Sequence, residues 1–356
     1  MKEQELHKLF ESVYGLLKEL ITIPSFSKSE DKTADYIENF FAKYTIPTHR
    51  VMNNIWAFNK FYDASKPTIL LNSHHDTVQP NASYTLNPFE AIEKDGKLYG
   101  LGSNDAGGCL VSLIATFIHF WDTENLNYNL VIAASAEEEI SGTNGIESIY
   151  IQLGNIDFAI VGEPTEMNLA IAEKGLLVLD CVASGTSSHA AHPNQNNAIL
   201  NAIEDINWFN NYKFDKISDL LGEVKMTVTV INSGSQHNVV PDSCAFTVDV
   251  RTTELYSNVE IFNIIKENIK SEVTPRSLRL NSSSIPMSHP FVQAGLQLGR
   301  TFYGSPTSSD QAVISCPSLK MGPGLSTRSH SSDEFIYVDE IKEAIQIYTA
   351  VLTQIL

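Results

Sequence analysis

The chain has 356 residues, 43% hydrophobic and 19% charged, an ordinary globular composition that excludes long disordered or collagen-like tracts. At roughly 150 residues per domain it has room for about two domains. Lys and Arg number 24 against 42 Asp and Glu, a net charge of −18, which repels phosphate backbones and anionic lipid, so neither nucleic acid nor a membrane is an expected partner.

Along the chain, Leu6, Leu9, Phe10, Val13, Leu17 and Leu20 recur at helical spacing, predicting a helix over Glu3 to Leu20 that Pro24 closes. Charges break this segment every few residues, so it reads as neither a signal nor a transit peptide, and the expected location is cytoplasmic. A second amphipathic helix fits Asp31 to Tyr44. Short β-like runs follow at Val51 to Phe58 and Thr68 to Leu71. Gly107-Gly108 precede an apolar helix over Cys109 to Phe120, too short to span a bilayer. Asn129 to Ser135 and Phe158 to Val161 are further strands, and strands alternating with helices predict an α/β sheet with helices on both faces.

After Gly175 the pattern changes. Strands at Leu176 to Val182, Val224 to Ile231 and Cys244 to Arg251, with helices at Asn197 to Phe209 and Val259 to Ile269, predict a small two-layer α+β domain inserted over residues 176–284. A helical pattern is expected from Pro286 to Leu356. Residues 1–175 and 285–356 would then form one catalytic layer. The four cysteines, Cys109, Cys181, Cys244 and Cys316, lie far apart among apolar neighbours and read as buried free thiols.

Three polar clusters follow strands directly: Asn72-Ser73-His74-His75-Asp76-Thr77, Glu137-Glu138-Glu139 and Gly162-Glu163-Pro164-Thr165. Ligands of open α/β sheets bind beyond the carboxyl ends of strands, so these clusters point to one site. Gly102 to Gly108, containing Asp105, precedes a helix. Ser329 to Glu334, containing His330, sits in a late loop. Imidazoles and carboxylates together suit zinc, manganese or cobalt. Converging carboxylates would repel each other without cations, and two divalent ions sharing one carboxylate would remove that cost. In a strand, His74 and Asp76 face one side and His75 the other, so Asp76 is placed to orient the His74 ring. Taken singly, each cluster also fits a solvated polar strand end.

In order, Ser73-His74-His75-Asp76-Thr77-Val78, Leu101 to Gly108, Ala136 to Gly145, Gly162-Glu163-Pro164-Thr165, and Gly322-Pro323-Gly324 through His330 and Glu334 resemble the motifs of the two-zinc aminoacylase and carboxypeptidase family. That family includes acetylornithine deacetylases and succinyl-diaminopimelate desuccinylases. The resemblance implies a mixed-sheet zinc-peptidase-like catalytic domain with an inserted ferredoxin-like domain for dimerisation or lid closure. It implies one metal on His74 and Glu163, another on Glu139 and His330, Asp105 bridging, Glu138 as general base and Asp76 orienting His74. The cofactors are then two divalent ions, zinc with cobalt or manganese as alternatives. A bridged water would lose its proton to Glu138 and attack an amide carbonyl.

Gly185 to Pro193 resembles the segment whose histidine, here His189, reaches the partner's active site in dimeric members. Asn238 and Arg251 match positions that bind the substrate carboxylate. For Arg251 an internal salt bridge with Asp249 or Asp242 stays open. Departures occur at Ala106, Glu137, Pro193 to Ala198 and Pro306 to Asp310. The compact length and the Gly-Pro-Gly segment lean toward N-acetyl- or N-succinyl-ornithine or -citrulline, in arginine biosynthesis. The alternatives are a succinyl-diaminopimelate desuccinylase, a small-peptide hydrolase, or a non-catalytic relative that has lost a ligand or the base. A succinyl group would call for an extra cation, for which Arg328 and Lys174 are candidates. The expected assembly is a homodimer through the inserted domain.

Overall fold

Apolar spacing determines the helices. In a computed structural model, which describes residues 3–356, Glu3–Thr22 is a helix burying the stripe from Leu6 to Leu20 anticipated above. The helix Gly108–Phe120 is apolar nearly all round and enclosed except at Ile118 and His119, because the helices Glu3–Thr22 and Val338–Thr353 cover it on one side and the sheet on the other.

Two compact units form. The first comprises the chain up to Ile171, Ser284–Tyr303 and Ser309–Leu356. Its mixed sheet runs in the spatial order His49–Val51, Asn54–Phe58, Asn129–Ser135, Thr68–His74, Ile156–Val161, Ser318–Lys320 and Leu169–Glu173, with Ser283–Ser284 last. Thr68–His74 pairs in parallel with both Asn129–Ser135 and Ile156–Val161, and every residue of Thr68–His74 and Asn129–Ser135 is buried. That explains their unbroken apolar runs, since central parallel strands are covered on both faces. On one face Leu70, Val131, Ala133, Ala159 and Val161 cluster with Ile146, Ile149 and Leu153. On the other, a Cβ built on Gly162 would meet Leu113 and Ser73, which places the Gly108–Phe120 helix there. The three parallel strands end together, at His74, Ser135 and Val161.

The expectation of helix from Pro286 to Leu356 is corrected. Helices occupy Pro290–Gln297 and Val338–Thr353, separated by strands Phe302–Ser305, Ser318–Lys320 and Phe335–Tyr337. Gly304, Pro306, Pro317 and Pro323 break any helical repeat here. Ser318–Lys320 instead pairs in parallel with Ile156–Val161.

The second unit comprises Ala172–Ser283 and Gly304–Ser308. The sequence had assigned that second segment to the catalytic part. It joins this unit because the Lys174 N–H donates to Ser305 O at 3.0 Å and Ser308 Oγ to Lys174 O at 2.7 Å. Four antiparallel strands lie in the order Lys225–Ser233, Ser243–Thr252, Gly175–Ser184, Glu272–Pro275. With helices Ala198–Asn211 and Asn258–Asn268 between them in chain order, this is the ferredoxin-like arrangement. Strand burial alternates strictly: Leu177, Leu179, Cys181, Phe246, Val248 and Val250 face the helices. Asp180, Asp249 and Arg251 therefore lie on the open face. Cys109, Cys181 and Cys244 are buried free thiols, and Cys316 is half-buried. Among the described residues no helix is long and apolar enough to cross a membrane.

Candidate metal centre

The three strand ends present His74, Glu138-Glu139 and Glu163 to one spot. His74 Nδ1 lies 3.0 Å from Asp76 O, an atom that only accepts, so Nδ1 carries a proton. Nε2 faces the site, where burial is outweighed by the surrounding carboxylates and His74 is held well above the usual imidazole range, so a cation there would take the place of the Nε2 proton. Around Nε2 stand Asp105 Oδ1 at 3.3 Å, Glu138 Oε2 at 3.8 Å and Glu163 Oε1 at 3.8 Å. The other Asp105 oxygen, Oδ2, is 3.5 Å from His330 Nε2, which lies 2.9 Å from Glu139 Oε2. Asp105 thus stands between the two imidazoles with one oxygen toward each. Potential ligand atoms come within 4.8 Å of one another in two groups, His74–Glu138–Glu163 and His74–Asp105–Glu139. Glu138 is therefore close enough to ligate as well as to act as a base.

Asp76 does more than the sequence suggested. Its Oδ1 lies 3.4 Å from His74 Nδ1 and accepts the Glu138 N–H at 3.0 Å. Its Oδ2 accepts the Glu139 N–H at 3.2 Å and Ser27 Oγ–H at 2.7 Å. One buried carboxylate thereby fixes an imidazole and the turn bearing two carboxylates. His75 faces away, buried against Thr33 Oγ1 and Asn53 O. Glu137 sits at φ 55°, anchored through its N–H to Glu30, a strained entry that turns Glu138 and Glu139 off the strand end.

The electrostatics fit divalent cations. Burial pushes Glu163 up to about 8, with the Asp105 charge adding to it, and Glu163 Oε1 is buried with no hydrogen-bond partner. Burial likewise drives Glu138 well above the carboxylate range; His74 opposes this, while Glu163, Asp310 and Glu139 add to it. His330 is raised to about 9, chiefly by its bond to Glu139. An orphaned buried carboxylate oxygen among converging acids is the environment a cation relieves.

A pH dependence follows for the metal-free protein. The folded values of Glu163 and His330 lie above their ordinary 4.5 and 6.5, so folding favours the protonated forms. Their contribution to stability is present below the ordinary values and lost as pH rises through about 8 and 9. The melting midpoint of chelator-treated protein should fall between pH 6 and 9. Added zinc, which binds deprotonated ligands, should widen the gap between metal-loaded and metal-free midpoints over that range. A constant gap in a melting series would refute this.

Glu334, in the last of the family-like segments, and Asp310, in a segment that departs from them, had no role assigned from sequence. Glu334, 1% exposed, accepts N–H bonds from Gly102, Asn104 and Asp105. Buried Asp310 accepts from Asn72 Nδ2 at 2.7 Å and Ser135 Oγ at 2.6 Å. Arg328 is committed elsewhere, with a two-bond pair to Glu340 and the Phe335 ring at 4.9 Å.

In the second unit, His189 is exposed on a two-residue strand. Its Nδ1 accepts the Ala191 N–H at 3.1 Å, which leaves the proton on Nε2. Asn238 is adjacent, its carbonyl accepting the Ala190 N–H. Arg251 makes the internal bridge that sequence left open: Nε and Nη2 donate to Asp249 at 2.8 and 3.1 Å, as i,i+2 neighbours on one strand face. Lys174 Nζ donates to Glu223 O at 2.8 Å.

The profile described as Peptidase family M20/M25/M40 matches residues 70–354. Succinyl-diaminopimelate desuccinylase of Rickettsia bellii (strain OSU 85-389) is 26% identical over 371 residues, covering 93% of this chain and 94% of that protein. The Rickettsia felis protein of the same name is 26% identical over 381 residues, covering 96% and 99%. Among solved structures, aminopeptidase PepT from Bacillus cereus ATCC 10987 superposes with a TM-score of 0.77 at 16% identity, over 97% of this chain and 98% of that one. Bacillus subtilis YxeP, described as a dinuclear metal-binding peptidase of the M20 family, gives 0.72 at 16% identity, over 98% and 99%.

Proposed function

The chain belongs to peptidase family M20/M25/M40 and is a metal-dependent hydrolase, and from that premise we propose that it cleaves the amide bond of a small N-acyl amino acid. The observation that carries this is Asp105 between His74 and His330, with Glu139, Glu163 and the strongly basic Glu138 around it. On this reading His74 and Glu163 hold one divalent cation, Glu139 and His330 hold the other, and Asp105 is shared. The cations supply Lewis-acid polarisation of the carbonyl and a more acidic water.

Glu138 takes the proton of the attacking water on its carboxylate and returns it to the leaving amine. Burial, with Glu163, Asp310 and Glu139 adding to it against His74, raises its basicity above that of an ordinary carboxylate, which favours taking up the proton. Asp76 keeps Glu138 in place through its N–H. On the dimer reading His189, whose Nδ1 accepts the Ala191 N–H, would turn its Nε2–H to the oxyanion developing in the active site of the other protomer. Asn238 and Arg251 serve the substrate carboxylate. Asp249 holds the Nε–Nη2 edge of Arg251, and the Nη1 hydrogens take no part in that pair.

Among acyl amino acids, the relatives' name favours N-succinyl-diaminopimelate. The arginine-pathway expectation, N-acyl-ornithine or -citrulline, draws no support from those names. Release of primary amine should be assayed on N-succinyl-diaminopimelate, N-acetyl- and N-succinyl-ornithine, N-acetylcitrulline and short peptides, with zinc or cobalt present. Preference for N-succinyl-diaminopimelate is the expected result. Preference for an acylornithine would restore the other branch, and turnover of peptides alone would discard the acyl-amino-acid reading.

The second unit offers a surface for a second copy. Its Lys225–Ser233 strand is a sheet edge, with Val230 and Ile231 about half exposed, and Leu200 and Ile203 are exposed on the helix Ala198–Asn211. An apolar edge strand is a template for pairing, and two-fold pairing with itself closes it. The protein should sediment as a dimer, and Ile231→Lys should shift it toward monomer. A monomeric wild type at micromolar concentration would rule this out.

A further inference from the structure

Asp105 and His330 come from loops more than 200 residues apart, yet hydrogen bonds stitch those loops into one body. Glu334 Oε1 accepts the N–H groups of Asn104 at 2.8 Å and Asp105 at 2.9 Å, and Oε2 accepts that of Gly102 at 3.1 Å. The Asn104 side chain returns the contact, donating to Leu325 O and Ser329 Oγ and accepting the Leu325 N–H. On the outer side Asp333 Oδ1 accepts the N–H groups of Thr85 at 2.8 Å and Leu86 at 2.9 Å, while Oδ2 accepts the Thr85 hydroxyl. Asn81 adds a bond to His330 O at 3.3 Å. Between these anchors His330 and Asp333 hold φ of 57° and 52°, left-handed conformations that non-glycine residues adopt only when the surroundings impose them.

We propose that Glu334, with Asp333 as its outer partner, is a positioning residue that fixes Asp105 and His330 relative to each other and so sets the affinity of the cation they share. The proposal rests on the two-cation reading given above. Of the ligands assigned to the His330-side cation, Asp105 and His330 depend on this clamp, and only Glu139 is held independently, through Asp76. Of those assigned to the other cation, only Asp105 depends on it. Loosening the clamp therefore penalises one cation much more than the other. A buried carboxyl group that accepts three backbone N–H groups is a rigid anchor, because each bond satisfies a donor that the site hides from water.

The test is stepwise cobalt binding to the metal-free protein, followed by visible absorption and calorimetry, with melting recorded in parallel. Wild type should show two binding steps. Glu334→Ala should weaken one step by about 10–100-fold, the usual loss when a partner behind a metal ligand is removed, and leave the other within about threefold. Glu334→Gln keeps the shape but turns an amide NH2 toward the Gly102 N–H, so the same step should weaken to a lesser degree. Asp333 is half-buried in a loop outside the sheet core, so substituting it tests the clamp without emptying the buried Glu334 site. Asp333→Ala should weaken that step too, whereas Asp333→Asn, which keeps an acceptor for both N–H groups, should restore it. A purely structural role would lower the melting midpoint in these variants and leave both binding steps unmoved. Two unchanged steps in Glu334→Gln and Asp333→Ala would overturn the clamp alone. A wild type that binds fewer than two cobalt ions would overturn the two-cation reading and the clamp with it.

Discussion

Glu138→Ala should lower kcat by at least about 10²-fold while both cations still bind, because general acid–base transfer contributes about 10²–10⁴-fold. The distinction matters here. Glu138 Oε2 and Glu163 Oε1 both lie 3.8 Å from His74 Nε2, so distance alone does not separate a base from a ligand. A ligand would take a cation with it when removed; a base would not. Stoichiometry measured on the variant, beside its turnover, decides between the roles. Full turnover would end the proposal for Glu138, and loss of one bound cation would reassign it as a ligand.

The second large effect concerns Asp105. Its two oxygens face His74 and His330 separately, at 3.3 and 3.5 Å, and Asp105→Ala removes a ligand from both sites at once. Both binding steps should weaken by more than the about 10–100-fold expected when only a supporting residue is lost, and activity should disappear with them. His330→Ala, by contrast, should weaken one step only. If Asp105→Ala bound two cations with wild-type affinity, the shared-carboxylate geometry would have no role in binding.

Much of this site was legible because its parts are local. His74, Glu138-Glu139 and Glu163 each follow an apolar strand directly, and three adjacent parallel strands necessarily end at one edge of the sheet. Asp76 was expected beside His74 from strand alternation; the strand instead ends at His74, and the turn after it brings Asp76 O to 3.0 Å and Oδ1 to 3.4 Å from Nδ1. Its bonds to the Glu138 and Glu139 N–H groups were not legible, because they depend on the turn at Glu137. The bridge from Arg251 to Asp249 was open as an alternative because i,i+2 residues share a strand face.

Glu334, Asn104 and Asp310 lie in segments that the sequence marks, but their roles were not legible. Their bonds join loops far apart in sequence, and an acidic residue in a polar loop reads like any solvated one until the loop opposite is known. The region after Pro286 was misread for a related reason. Strands of three residues such as Ser318–Lys320 are too short to show an alternation, and pairing with Ile156–Val161 determines their form.

The most direct measurement is amide hydrolysis followed while metal-free protein is titrated with zinc, using N-succinyl-diaminopimelate and the acylornithines as substrates. Amine release should be absent without metal, rise with added zinc and level off at two equivalents per chain. Hydrolysis that persists in excess chelator, or that is complete at one equivalent with no second binding step, would contradict a reaction built on Asp105 shared between two cations.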